Sequence, residues 1–257
     1  MSACKQAAII TVRSSSTRLP NKALKPLLPT LSCLAFLIQR VSLAGFPVIV
    51  ATSTDASDDA IVQLVEASTN ARVFRGALNN RIVRWHDCFE QFGIESALLV
   101  DGDDLFYGYD IGVRAMALLE SSSCDMVVNP DAIICGLFTY AISKQGLKML
   151  FSVVPDPNTV IDMVGPIIEK ARITTQEVRV KADEMGGDIR LTLDYPEDLS
   201  LFQVLSKQVP LEIRSAQLGR FLKKHPEITK INFLRQKGYL EKQARESKQL
   251  RETLNEK

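Results

Sequence analysis

Ala7-Ala-Ile-Ile-Thr-Val12 runs directly into Arg13-Ser-Ser-Ser-Thr-Arg-Leu-Pro-Asn-Lys22, and this junction decides the fold. Residues 7–12 are nearly all apolar without alternation and rich in β-branched side chains, as in a strand buried on both faces. The loop that follows holds three cations and four hydroxyls. Moving outward, buried apolar runs at 48–51 and 97–100 and shorter stretches at 72–74 and 125–128 predict further strands. Helices are predicted at 31–43, 58–67, 81–92 and 111–120, with Asp58 and Asp59 suited to the positive end of a helix dipole. Strands alternating with helices of this length require parallel pairing through right-handed crossovers. The expected class is therefore α/β, Rossmann-like, with a mostly parallel sheet flanked by helices. In such sheets ligands bind beyond the carboxyl ends of the strands. That rule selects the loops after Val12, Val50 and Val100.

The second half is less regular. Strand-like stretches fall at 133–142, 177–181 and 189–193, and helical ones at 144–151, 159–171, 196–205 and 215–224, where Ser215 is a candidate cap. Gly186-Gly187 reads as a turn. No repeat or Gly/Ser-rich linker divides the chain, so a single domain over residues 1–240 is expected, with a small α+β extension at 131–187. Residues 241–257 are charged on nearly every face and read as a solvated helix or frayed tail.

Composition narrows the function. The 257 residues carry 31 Lys plus Arg and 30 Asp plus Glu, a net charge of +1, with 46% hydrophobic and 24% charged residues. This is globular composition, without the basic excess of a nucleic-acid binder. No stretch approaches the roughly 20 apolar residues of a membrane crossing. The short run at 7–12, followed at once by Arg13, does not form a signal peptide. Cys4, Cys33, Cys88, Cys124 and Cys135 are scattered, with no C-x-x-C pair, which suits a reducing cytoplasm and buried packing roles. His86 and His225 lack partners for a triad or zinc site, and Trp85 is a candidate for helix packing.

The basic loop offers fixed donors and cations of the kind a triphosphate requires, with a solvated basic loop as the plain alternative. Neither G-x-G-x-x-G nor a Walker sequence is present. The pattern Ile10-x-x-Arg13-x-x-Ser16-Thr17-Arg18-Leu19-Pro20-x-Lys22-x-Leu24 resembles the N-terminal signature of sugar cytidylyltransferases. The similarity is to the spore-coat polysaccharide type, related to the CMP-Kdo and CMP-sialate synthetases. Gln39-Arg40-Val41, Val50-Ala51-Thr52-Ser53, Val73-Phe74-Arg75-Gly76 and the stretch from Leu191-Thr192-Leu193-Asp194 through Leu199 follow in the same order.

This resemblance implies transfer of CMP from CTP to an acidic, 2-keto-3-deoxy-type sugar, with pyrophosphate leaving, for surface polysaccharide synthesis. It implies that Arg13, Ser16, Arg18 and Lys22 grip the triphosphate and that Ala51, Thr52 and Ser53 lie near the nucleotide. Arg13, Lys22 and Asp103 become the catalytic candidates. In Leu99-Val-Asp101-Gly-Asp103-Asp104, Asp103 matches one magnesium-binding aspartate of the synthetases and Asp194 the distal one; magnesium takes such hard oxygen ligands. Arg75 and Arg84 are candidates for the acceptor. By the resemblance the extension implies a homodimer, and the scattered cysteines are read as placing the chain in the cytoplasm. Four departures stand out: Ser15 and Asn21 where glycines are expected, Leu105 for a proline, and Asn80 for a carboxylate. Two other readings remain open, a D-x-D glycosyltransferase using Asp101-Gly102-Asp103 and a non-catalytic nucleotide- or partner-binding relative.

Overall fold

The computed structural model describes residues 5–16 and 18–255; Cys4 and Thr17 lie outside them. In chain order the strands are β1 (Gln6–Thr11), β2 (Pro26–Leu28), β3 (Leu31–Ser32), β4 (Val48–Ser53), β5 (Arg72–Gly76), β6 (Ser96–Asp101), β7 (Met126–Val128), β8 (Tyr140–Ser143) and β9 (Thr175–Glu177). The helices are α1 (Cys33–Ser42), α2 (Asp59–Ser68), α3 (Arg81–Phe92), α4 (Tyr109–Ser121), α5 (Lys144–Val153), α6 (Gly165–Ala171), α7 (Pro196–Gln208), α8 (Ser215–Lys224), α9 (Pro226–Thr229) and α10 (Phe233–Asn255).

Seven strands form one sheet in the order β5-β4-β1-β6-β8-β7-β9. β5, β4, β1 and β6 pair in parallel, β8 runs antiparallel between β6 and β7, and β9 is parallel to β7. The mostly parallel Rossmann-like sheet expected from the alternating pattern is thus present. β1 explains its own lack of alternation: Ala8 and Ile10 enter one core, Ala7 and Ile9 the other, and all four are fully buried. Such two-sided burial is what a central parallel strand requires. Chain order reverses between β1 and β6, so the open crevice of the sheet lies beyond their carboxyl ends.

Differences from the expected pattern concentrate in the second half. Of residues 133–142 only β8 is a strand, because Gly136 at φ 89° breaks the run and turns its apolar side chains into the core. The helix expected over 159–171 is α6 alone; Ile161 instead makes a bridge to Asn80. β9 precedes the stretch expected at 177–181. Residues 189–193 are extended without a ladder, since Leu191 N bonds to Cys135 O and Leu193 N to Asp103 O, partners far apart in sequence. α1 starts at Cys33, with Ser32 Oγ accepting from Ala35 N at 3.2 Å. Ser215 is the first residue of α8, not its cap, and its amide and hydroxyl bond to Asp110. α10 runs unbroken through the boundary expected at 240/241. Its far end docks rather than frays: Leu254 is buried, and Arg251 forms two hydrogen bonds to Glu169 on α6.

Gly136 carries a further constraint. A Cβ there would lie 2.1 Å from the backbone oxygen of Leu191, on a φ that L-residues rarely adopt. Gly136→Ala is therefore expected to cost about 2 kcal/mol or more, read as a fall of several degrees in melting temperature. An unchanged melt would show that this contact relaxes freely.

Candidate active site

A cleft of about 870 Å3 opens where β1 and β6 end. Two turns make its floor. Thr11 pairs with Asp101 in the sheet, and Gly102 N donates to Thr11 O at 2.9 Å. A Cβ on Gly102 would stand 2.7 Å from Val12 Cβ and 2.8 Å from Thr11 O, so only glycine lets the acidic turn close against the end of β1. The basic loop is anchored below by Asp58, which accepts from Ser14 N at 2.7 Å, Thr52 Oγ1 at 2.9 Å and Ser53 N at 3.0 Å. Asn21, at the position expected to be glycine, adopts φ 54°. Asparagine tolerates this left-handed conformation better than most residues, so the departure keeps the shape of the loop.

Asp194 reaches the acidic turn across the sequence because Leu193 N donates to Asp103 O at 2.9 Å. Lys22 Nζ stands between the two carboxylates, 2.7 Å from Asp103 Oδ2 and 3.1 Å from Asp194 Oδ1. Arg18 Nη2 lies 2.7 Å from Asp194 Oδ1, and Arg190 Nη2 is 2.8 Å from Asp194 Oδ2. Burial opposes the charge on Asp194, yet Lys22, Arg18 and Arg190 outweigh it and hold the carboxyl below its ordinary range. Burial likewise disfavours the Lys22 ammonium, but Asp103 and Asp194 raise its pKa above the ordinary value. The charges on this pole are mutually sustaining.

Asp101, Asp103 and Asp104 place ligand oxygens within 4.8 Å of one another. Burial pushes the Asp101 carboxyl up, Arg81 opposes it, and Asp103 adds to it. Burial, then repulsion from Asp103 and Asp101, pushes Asp104 well above the carboxylate range. Three crowded carboxylates of this kind form an oxygen donor set that a divalent cation would relieve. Asp194 is not in that group, and both of its oxygens already face cations.

The remaining candidates divide. Arg13, Ser16, Arg18, Lys22, Arg84, Asp103 and Asp194 line the cleft. Arg13 turns toward the β5–α3 side, donating to Leu78 O at 2.6 Å and to Asp162 Oδ1 at 3.0 Å. Ala51, Thr52 and Ser53 are buried beneath the loop and do not line the cleft; Thr52 and Ser53 hold Asp58, and Ala51 O accepts from Val12 N at 3.2 Å. Arg75 is likewise outside it, bound to Ser53 O, Asp55 O and Asp59. Asn80 gives up the expected carboxylate but caps α3 by accepting from Ile82 N and Val83 N, while its amide donates to Val154 O and Asp156 O. His86 and His225 line no part of the cleft. Trp85 packs as expected, its Nε1 donating to Thr11 Oγ1 at 2.7 Å. The described cysteines are free.

Sequence reasoning missed Arg190, Arg81 and the contribution of α10. An arginine inside the otherwise apolar alternation 189–193 was the available signal for Arg190. It is fully buried, paired with Asp194 and Asp198, and stacked 4.1 Å from the ring centre of Tyr239 on α10. Arg81 pairs with Asp101. Gln236, Tyr239, Gln243 and Glu246 make α10 one wall of the cleft.

Residues 7–127, which carry the basic loop and the acidic turn, match the family model described as Cytidylyltransferase. Over this stretch the chain is similar to the cytidylyltransferases. Among solved structures it resembles a cytidylyltransferase from Leptospira borgpetersenii serovar Hardjo-bovis, with 24% identity, TM-score 0.78, and 88% of this chain and 97% of that one covered. It also resembles the CMP:2-keto-3-deoxy-manno-octonic acid synthetase complexed with CTP, with 16% identity, TM-score 0.59, and coverage of 79% and 99%. A third likeness is to molybdopterin-guanine dinucleotide biosynthesis protein A from Archaeoglobus fulgidus, with 13% identity, TM-score 0.59, and coverage of 78% and 100%. At these identities the three structures speak for the fold. No curated protein sequence matches the chain. The cytidylyltransferase match spans β1 through β7 and leaves Asp194 and α10 to be read from geometry. Among the described residues no helix is long and apolar enough to cross a membrane.

Proposed function

We propose that this nucleotidyltransferase moves CMP from CTP to an acidic sugar of the 2-keto-3-deoxy type, releasing pyrophosphate and supplying an activated sugar for surface polysaccharide. The observation that carries the reading is Lys22 Nζ lodged between Asp103 and Asp194 at the mouth of β1 and β6. In the transfer an acceptor hydroxyl oxygen forms a bond to the α-phosphorus, the bond to the pyrophosphate oxygen breaks, and the hydroxyl proton leaves to solvent or a base. Little covalent work falls to the protein, so positioning and charge stabilisation dominate.

Arg18 and Lys22 supply the cations for the triphosphate, with Ser16 beside them in the cleft wall. The carboxylates of the acidic turn fit magnesium; Asp103 would be its principal ligand, with Asp194, joined to Asp103 through Lys22, as the second. Magnesium bound there would neutralise charge on the phosphates. The synthetase that resembles this chain acts on a 2-keto-3-deoxy sugar acid by its name, and this supports the acceptor class.

Calorimetry tests the donor first. CTP with magnesium is expected to bind at least about tenfold more tightly than ATP, GTP or UTP, a difference of about 1.4 kcal/mol. Lys22→Ala is expected to weaken CTP about 10-fold to 100-fold, since a charge-assisted bond contributes roughly 1.5–3 kcal/mol. Preference for UTP would favour the D-x-D glycosyltransferase reading. Absence of nucleotide binding at millimolar concentration would favour the non-catalytic one.

A further inference from the structure

Among the described residues, Arg84 is a buried charge left without a carboxylate partner. It sits in the first turn of α3, in the wall of the cleft, with only 1% of its surface exposed. Its Nε and Nη1 are buried and have no hydrogen-bond partner. Burial, with Arg13 and Arg81 alongside, lowers its pKa to about 9. The two neighbours have carboxylates of their own: Arg13 holds Asp162, and Arg81 holds Asp101. Three guanidinium groups thus gather on the β5–α3 side of the cleft with two direct carboxylate partners between them. A buried guanidinium without a partner is costly to the fold and persists where a ligand supplies the missing anion.

We infer that Arg84, with Arg13 and Arg81, forms a second anion seat in the cleft, distinct from the Arg18–Lys22 pole, that takes an oxyanion of a bound substrate. The two poles lie on either side of the acidic turn: Lys22 meets it at Asp103, and Arg81 meets it at Asp101. This places the seat to receive one of two oxyanions, the terminal phosphate of the nucleotide or the carboxylate of the acceptor. The inference deepens the proposed transfer and rests on it for the identity of the substrate, but the seat itself is defined by charge alone.

The test compares wild type, Arg84→Met and Arg84→Lys by thermal melting and calorimetry at constant ionic strength, with inorganic phosphate, CTP and CDP as probes. Arg84→Met is expected to melt at or above the wild-type temperature without ligand, because it removes an unpaired buried charge at nearly constant volume. It is also expected to bind inorganic phosphate about 10-fold more weakly, the effect of one charged hydrogen bond, with Arg84→Lys recovering part of the loss. If the seat holds the terminal phosphate, saturating CTP displaces inorganic phosphate and Arg84→Met abolishes the preference for CTP over CDP. If it holds the acceptor's oxyanion, inorganic phosphate binds beside CTP and CTP affinity is unchanged in the variant. Equal phosphate binding by wild type and Arg84→Met overturns the seat, as does a lower melting temperature in both variants, which would mark Arg84 as structural. Phosphate binding lost in the variant with no CTP binding in wild type would instead reject the cytidylyl reading and leave the seat standing.

Discussion

Asp103→Asn is expected to lower magnesium-dependent CTP turnover by about 100-fold or more while leaving the melting temperature close to that of wild type. The two parts of this result have separate causes. Turnover falls because the amide is a poor replacement for the carboxylate that faces both Lys22 and the cleft. Stability holds because the substitution has opposing effects: it removes a pair with Lys22 but also relieves repulsion of Asp101 and Asp104, whose carboxyls burial and mutual charge already push upward. The backbone oxygen that secures Leu193 is untouched. Steady-state pyrophosphate release across a magnesium series checks the first part and a thermal melt the second. Wild-type turnover with wild-type metal dependence would overturn the proposed role of Asp103 as a magnesium ligand.

Asp198→Ala should have the largest effect on the fold itself, about 3–5 kcal/mol, the range for breaking a buried ion pair by removing one partner. Asp198 is fully buried in the first turn of α7. One oxygen accepts from Arg190 Nε at 3.1 Å and Asn232 Nδ2 at 2.7 Å. The other accepts from Asp194 N at 2.8 Å, Tyr195 N at 2.9 Å and Arg190 Nη2 at 3.3 Å. Removing it leaves Arg190 Nε without its acceptor, with Asp194 as the guanidinium's remaining carboxylate, and strands two backbone amides at once. For a chain of this size the loss corresponds to a fall on the order of 10 °C. A melt within about 2 °C of wild type would show that water or Asp194 replaces the lost acceptor. Because Asp198 fixes the peptide of Asp194, a weaker affinity for CTP is expected alongside the lower melt.

The part of this architecture legible in the sequence is the part built from local periodicity. β1, β4 and β6 are continuous apolar runs because both faces are covered, and α3 spans the expected 81–92, flanked in the structure by Asn80 and Gly93. What periodicity cannot carry is a choice of partner. The apolar run at 133–142 looks like one strand, yet Gly136 divides it into a buried turn and a short antiparallel insertion between β6 and β7. Residues 189–193 alternate like a strand, yet their amides bond to unrelated segments. The site follows the same division. Arg18, Lys22, Asp103 and Asp194 were found through ordered motifs and do converge. Ala51, Thr52 and Ser53 belong to a motif that supports the loop from below. Arg190 and Arg81 lie outside the motifs read, and their importance comes from burial and pairing, which have no signature in one sequence.

α10 has a practical consequence for anyone shortening the chain. Its charge density invites trimming after residue 240 as a dispensable tail. The helix is pinned near its start by Arg235 to Glu197 and near its end by Arg251 to Glu169, with Gln243 and Glu246 in the cleft wall between these clasps. A cut at 240 would take away the second clasp, the Leu254 plug and part of that wall together. A shortened protein would then present a wider cleft and a bare face on α6, and measurements of its selectivity would describe a different vessel from the one the full chain forms.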